Sequence, residues 1–117
     1  MVDRSGVPAY LRLIGPDFVF DMHSYPLVLG RASRKPPPER GSFLALPDNK
    51  NISRNHCVIL WDSAQKCFTL SCLGKNGATL NGTSVHPNDA PVPLTRDSRL
   101  VISSIPIFVL LPKQYVA

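Results

Sequence analysis

The chain has 117 residues, is 44% hydrophobic and carries a formal charge of +5, which suits one domain with its own core. Twelve prolines exclude long helices, the lack of any apolar run of about 18 residues excludes a transmembrane helix, and MVDRSGVPAY lacks the apolar centre of a secretory signal. The positive charge favours anionic partners in general, whether nucleic acid, acidic lipid or phosphorylated protein. The chain therefore reads as intracellular, and its closing KQYVA as the cut end of an excised domain.

In chain order, period-two alternation appears first in YLRLIG, where Leu11 and Leu13 share a face and Arg12 takes the other. It recurs in DFVFDM (Phe18, Phe20, Met22) and in CFTLSC, where Phe68, Leu70 and Cys72 face in and Thr69 and Ser71 face away. These read as half-buried strands. PLVLG, HCVILW, RLVIS and IFVLL are more continuous and read as central strands covered on both faces. Gly15-Pro16-Asp17 makes the first turn. SRKPPPERG, residues 33–41, reads as an exposed extended loop, since proline cannot join a central ladder. Asn81-Gly82 between ATL and TSV is a type I′ hairpin signal, and residues 86–93 read as a polar loop. About ten short strands with Gly and Pro turns predict an antiparallel β-sandwich or barrel. The three cysteines, Cys57, Cys67 and Cys72, lack a C-x-x-C pair and lie in or beside apolar runs. They read as buried apolar residues in a reducing compartment.

Three polar marks interrupt the strands. Arg31 follows Gly30 directly after LVL, where a guanidinium fork held by rigid backbone suits phosphate or carboxylate; a lone Gly-Arg is more often simply an exposed arginine. Ser53 and Arg54 stand before His56 at the mouth of CVILW. The serine can donate to an anion, and a histidine there more often braces loops than binds metal. His23, His56 and His86 have no zinc spacing. Lys75-Asn76-Gly77 offers a cation, an amide that can brace a loop or contact a ligand backbone, and a glycine for a tight turn. The cluster Arg31, Arg34, Lys35 and Arg40 is, on charge alone, a solvated loop.

Taken together, Gly-Arg, then S-R-x-H about twenty residues on, then N-G-x-x-x-N-G, all between short strands, resemble the forkhead-associated (FHA) domain. The resemblance spans Tyr10 to Pro112, with residues 1–9 and 113–117 as flanks. FVFDMHSYPLVLGR, ISRNH, LGKNG and IFVLLP are most similar to the FHA domains of forkhead-type transcription regulators and plant nuclear FHA proteins. The resemblance implies an all-β, FHA/SMAD-like sandwich of about eleven strands that binds phosphothreonine peptides through loops at one end. It implies that Arg31, Ser53, Arg54, Lys75 and Asn76 contact the phosphopeptide and that Gly30, His56, Gly77, Asn81 and Gly82 shape the site. It also places Ser33, Arg34 and Lys35 in a specificity loop, where added positive potential would favour acidic residues near the phosphosite. Two positions depart from the family pattern: Lys75 replaces a hydroxyl residue, and Ala78 stands where threonine is usual. The implied partner is a phosphothreonine-containing protein in the nucleus, without cofactor, metal or membrane, and oligomeric state is left open.

Three other readings compete. A basic β-domain could bind single-stranded nucleic acid, but Phe18, Phe20, Phe68 and Phe108 sit at alternating core positions, and no paired aromatic platform remains. Ser53 and His56 lack a nucleophile elbow, and no phosphate-cradling Gly-rich loop exists, so an enzyme is not indicated. A phosphate-independent interaction or dimerisation surface on the same fold is kept open by Lys75.

Overall fold

The computed structural model describes residues 9–32 and 42–112. Eleven strands form: β1 Leu11–Ile14, β2 Val19–Met22, β3 Leu27–Arg31, β4 Ser42–Leu46, β5 Cys57–Asp62, β6 Cys67–Cys72, β7 Ala78–Leu80, β8 Thr83–Val85, β9 Val92–Pro93, β10 Asp97–Ile102 and β11 Ile105–Leu110. A six-stranded sheet runs β2-β1-β11-β10-β7-β8 and a five-stranded sheet β4-β3-β5-β6-β9. The all-β sandwich is as the sequence predicts, with no helix among the described residues.

Several local expectations need correction. The second sheet is mixed, because β3 and β4 pair in parallel, with Arg31 beside Leu46. Residues 86–93 are not wholly loop: Val92 and Pro93 add β9 to the edge of β6, an edge being where proline is tolerated. The continuous apolar runs do not lie between two layers. In β11, Ile107 and Val109 are buried while Phe108 keeps 45% of its surface, and in β5 Leu60 keeps 40%. Each sheet thus has one solvent face, and strand pleat decides which of two adjacent apolar residues enters the core. Phe108 is therefore not a core residue; the Arg99 guanidinium sits 5.4 Å from its ring centroid on the outside. Thr69 departs the other way. It is buried, opposite Pro93 of β9.

The core lies between the inner faces and includes Leu11, Leu13, Leu27, Leu29, Ile59, Leu70, Leu100 and Ile107. Phe68 anchors one region, with the Trp61 ring 4.9 Å and the Tyr10 and Tyr25 rings each 5.7 Å away. Cys57, Cys67 and Cys72 are free and buried, as predicted. Cys57 faces Cys72 across β5 and β6, and burial, then that neighbour, pushes the Cys57 thiol above its usual range.

Register fixes which loops meet. β5 is antiparallel to β3, with Leu29 opposite Cys57, and to β6, with Cys57 opposite Cys72. The C-terminal ends of β3 and β6 and the start of β5 therefore lie at one end. β4 runs parallel to β3 and reaches the same end. In the other sheet β10 reaches it too, since Val101 pairs Thr79 near the start of β7. At the opposite end Arg12 pairs Leu110, Tyr10 N–H donates to Met22, and Leu111 N–H donates to Arg96. The first and last described residues thus lie together, away from the loop end.

Candidate functional site: a polar rim tied to one buried histidine

The rim is assembled by backbone before side chains enter. Arg31 N–H donates to Ser53 O at 3.0 Å, and His56 N–H donates to Leu29 O at 2.8 Å, so residues 53–56 lie along the end of β3. Gly30 is required there, because a Cβ would strike the Arg54 carbonyl. Leu73 and Gly74 N–H groups both donate to His56 O, at 2.8 and 3.0 Å, which brings in the loop after β6.

The His56 side chain completes the junction. It is fully buried. Its Nδ1 accepts the Ser53 N–H at 3.0 Å, so Nε2 carries the proton and donates to Gly77 O at 2.8 Å, because a backbone N–H can only donate. One neutral imidazole thus joins the loops on either side of β5 and β6, the bracing role that the sequence suggested for it. Gly74 packs against the ring, with room for nothing larger: a Cβ would sit 2.5 Å from Cε1 and Nδ1. Gly77 has φ +72°, a value that favours glycine, and closes the turn through its N–H to Gly74 O.

Around this junction stand the polar side chains. Arg31 is half-buried, Ser53 is half-buried, and Arg54, Lys75 and Asn76 are exposed. Asn76 Nδ2 donates to Asn51 O at 2.9 Å, a brace between loops. The 49–52 turn is fixed by Asn49, whose Oδ1 accepts Asn51 N–H at 2.8 Å and whose carbonyl accepts Ile52 N–H. Arg31 Nε lies 3.9 Å from Asp48 Oδ1. The backbone thus draws Arg31, Ser53, Arg54, Lys75 and Asn76 to one end. Ser33, Arg34 and Lys35 lie outside the described residues.

Asn81 and Gly82 are brought elsewhere. Their hairpin forms as expected, with φ +52° and +84°, and is pinned to β10 by Arg99 N–H to Asn81 Oδ1 at 2.8 Å and by Asn81 N–H to Arg99 O. It terminates β7 away from the rim, about 13 Å of strand beyond Gly77 at 3.3 Å per residue. It lines a separate hollow with Asp97, Ser98, Arg99 and Phe108 and does not shape the rim.

Next to Asn76 the structure opens a groove of about 500 Å³ that sequence reasoning missed. Asn49, Asn51, Ser84, His86 and the Ser103–Ser104 turn line it together with Asn76. The clustered amides in DNKN were a visible turn signal. Ser103 and His86 gave none, because only the six-stranded sheet brings them to this end. The rim gathers cationic and hydrogen-bonding side chains on a fixed backbone, beside a polar groove. They present no metal cluster among the described residues.

The FHA domain profile matches residues 27–103. The chain is 36% identical over 103 residues to FHA domain-containing protein FHA2 of Arabidopsis thaliana, covering 88% of this chain and 32% of that protein. It is 32% identical over 108 residues to the fork-head transcriptional regulator FHL1 of Candida albicans, covering 92% of this chain and 9% of the relative. The chain thus spans a third or less of either relative. Among solved structures, the N-terminal FHA domain of S. cerevisiae Rad53p in complex with a phosphothreonine peptide superposes with a TM-score of 0.70 at 18% identity, covering 91% of this chain and 96% of that one. With that profile covering residues 27–103 and relatives more than 30% identical over most of the chain, the chain belongs to the FHA domain family.

Proposed function

We propose that residues 10–112 form a non-catalytic recognition module that binds a phosphothreonine-containing segment of a partner protein. Arg31, Ser53 and Arg54 meet the phosphate, Lys75 adds positive potential, and Asn76 holds the peptide main chain. The observation that carries this reading is the backbone junction at His56, which fixes the ends of three strands so that two arginines, a lysine and a serine stand on one rim of preorganised backbone. A fixed backbone beneath the donors lowers the cost of ordering them around an anion. A phosphate near −2 makes each charge-assisted bond worth about 1.5–3 kcal/mol. The solved relative that holds a phosphothreonine peptide supports the ligand class. The fork-head transcriptional regulator among the relatives supports a nuclear setting.

The test is a titration with one extended peptide in phosphothreonine, phosphoserine and unmodified forms, chosen from an oriented phosphothreonine library. Binding restricted to the phosphothreonine form is expected. Arg31→Ala is expected to weaken it about tenfold or more, at 1.4 kcal/mol per decade, with the fold intact. A folded protein that binds no library member would overturn the reading.

A further inference from the structure

Asp48 is an anion placed beside the cation that the phosphate needs. Its carboxylate Oδ1 is 3.9 Å from Arg31 Nε, yet its side chain keeps 83% of its surface, against 27% for Arg31. The contact is therefore a solvent-screened pairing that the phosphate, with twice the charge, displaces readily. Asp48 itself does not leave. It is the residue before Asn49, whose side chain and carbonyl fix the 49–52 turn, and that turn is held to the opposite loop by Asn76. Asn49 and Asn51 also line the groove beside Asn76, so Asp48 stands where the phosphate-binding rim meets that groove.

Once Arg31 turns to the phosphate, the carboxylate loses its cationic neighbour and is left beside a doubly charged anion. A cationic side chain in the bound segment would neutralise it and relieve that repulsion. An acidic side chain there would add to it.

We propose that Asp48 is a specificity residue that selects a lysine or arginine close to the phosphothreonine of the partner, by exchange of ion-pair partners: phosphate for Asp48 at Arg31, and peptide cation for Arg31 at Asp48. The inference rests on the phosphopeptide reading above and adds the charge class of the flanking sequence. It opposes the acidic preference expected from the 33–40 segment, which lies outside the described residues.

The experiment uses a phosphothreonine peptide with neutral flanks and a set in which one lysine replaces each of the four residues on either side, titrated at physiological salt. Wild-type protein and Asp48→Asn are compared with the same set. At one position, lysine is expected to tighten binding to wild type about twofold to fivefold, the range of an exposed ion pair, and this gain is expected to vanish in Asp48→Asn. Equal affinity for every peptide in wild type, or a lysine gain that survives in Asp48→Asn, overturns the proposal while leaving phosphopeptide binding in place. Failure of even the neutral phosphothreonine peptide to bind overturns both readings.

Discussion

Gly74→Ala tests whether one imidazole holds the rim together. The added methyl would stand 2.5 Å from Cε1 and Nδ1 of His56 and 2.7 Å from Cγ, about 1 Å inside ordinary contact. The ring has no free direction of retreat, because both nitrogens are bonded, at 3.0 and 2.8 Å. If it stays, overpacking costs about 1–3 kcal/mol. If it leaves, a buried partner loses its bond at about 1–3 kcal/mol. Restricting the unfolded chain offsets about 0.4–1 kcal/mol. A net loss of about 1–2 kcal/mol is expected in urea unfolding, a sizeable share of the roughly 5–15 kcal/mol that holds a domain folded. The decisive comparison is the same substitution in a His56→Ala background. His56→Ala alone should cost about 2–4 kcal/mol through two lost bonds and a cavity. The three atoms nearest the methyl at 74 are then gone, so most of its own cost should disappear, giving a coupling of about 1–2 kcal/mol. A neutral Gly74→Ala, or an equal cost in both backgrounds, would refute the account of the junction.

Two further substitutions separate rim from scaffold. Gly82→Ala meets no atom within 4 Å but keeps φ +84°, so the backbone alone should cost about 1–2 kcal/mol in urea unfolding, with phosphopeptide affinity unchanged because the hairpin lies at the far end. At Asp62, the Gln65 N–H first, then the Gln65 amide and the Ala64 N–H, hold the carboxyl below its usual range. Its contribution to the β5–β6 hairpin should be full above about pH 4 and lost as pH falls through the lower folded value. Side-chain carboxyl NMR should show the depressed titration, and Asp62→Asn should flatten that part of the stability profile.

Where one residue type satisfies a local geometric demand, the sequence was legible. Asn81-Gly82 predicted its turn because two successive positive φ values leave few alternatives. Gly30, His56 and Gly77 were legible as parts of one pattern, though the tautomer of His56 follows only from the direction of the Ser53 N–H. Burial was less legible in VILW and IFVLL, where apolar residues stand side by side and identity cannot say which faces in. The parallel pairing of β3 with β4 was hidden because Ser42–Leu46, a short run just after the proline-rich segment, does not itself read as a strand. β9 was hidden because two residues, one a proline, carry no period. Asp48 drew no notice, since an exposed aspartate before Asn49 reads as turn chemistry until Arg31 is seen beside it.

The pairing of Arg12 with Leu110 at the end away from the rim has a consequence for assembly. Ala9 and Pro112, the first and last described residues, both stand at the back of the sandwich, so the rim faces away from them. A domain whose ends meet away from its rim can be joined to other polypeptide without covering the rim. For two such domains held in one protein, the spacing between rims would follow the length of the connecting chain and not the dimensions of the sandwich.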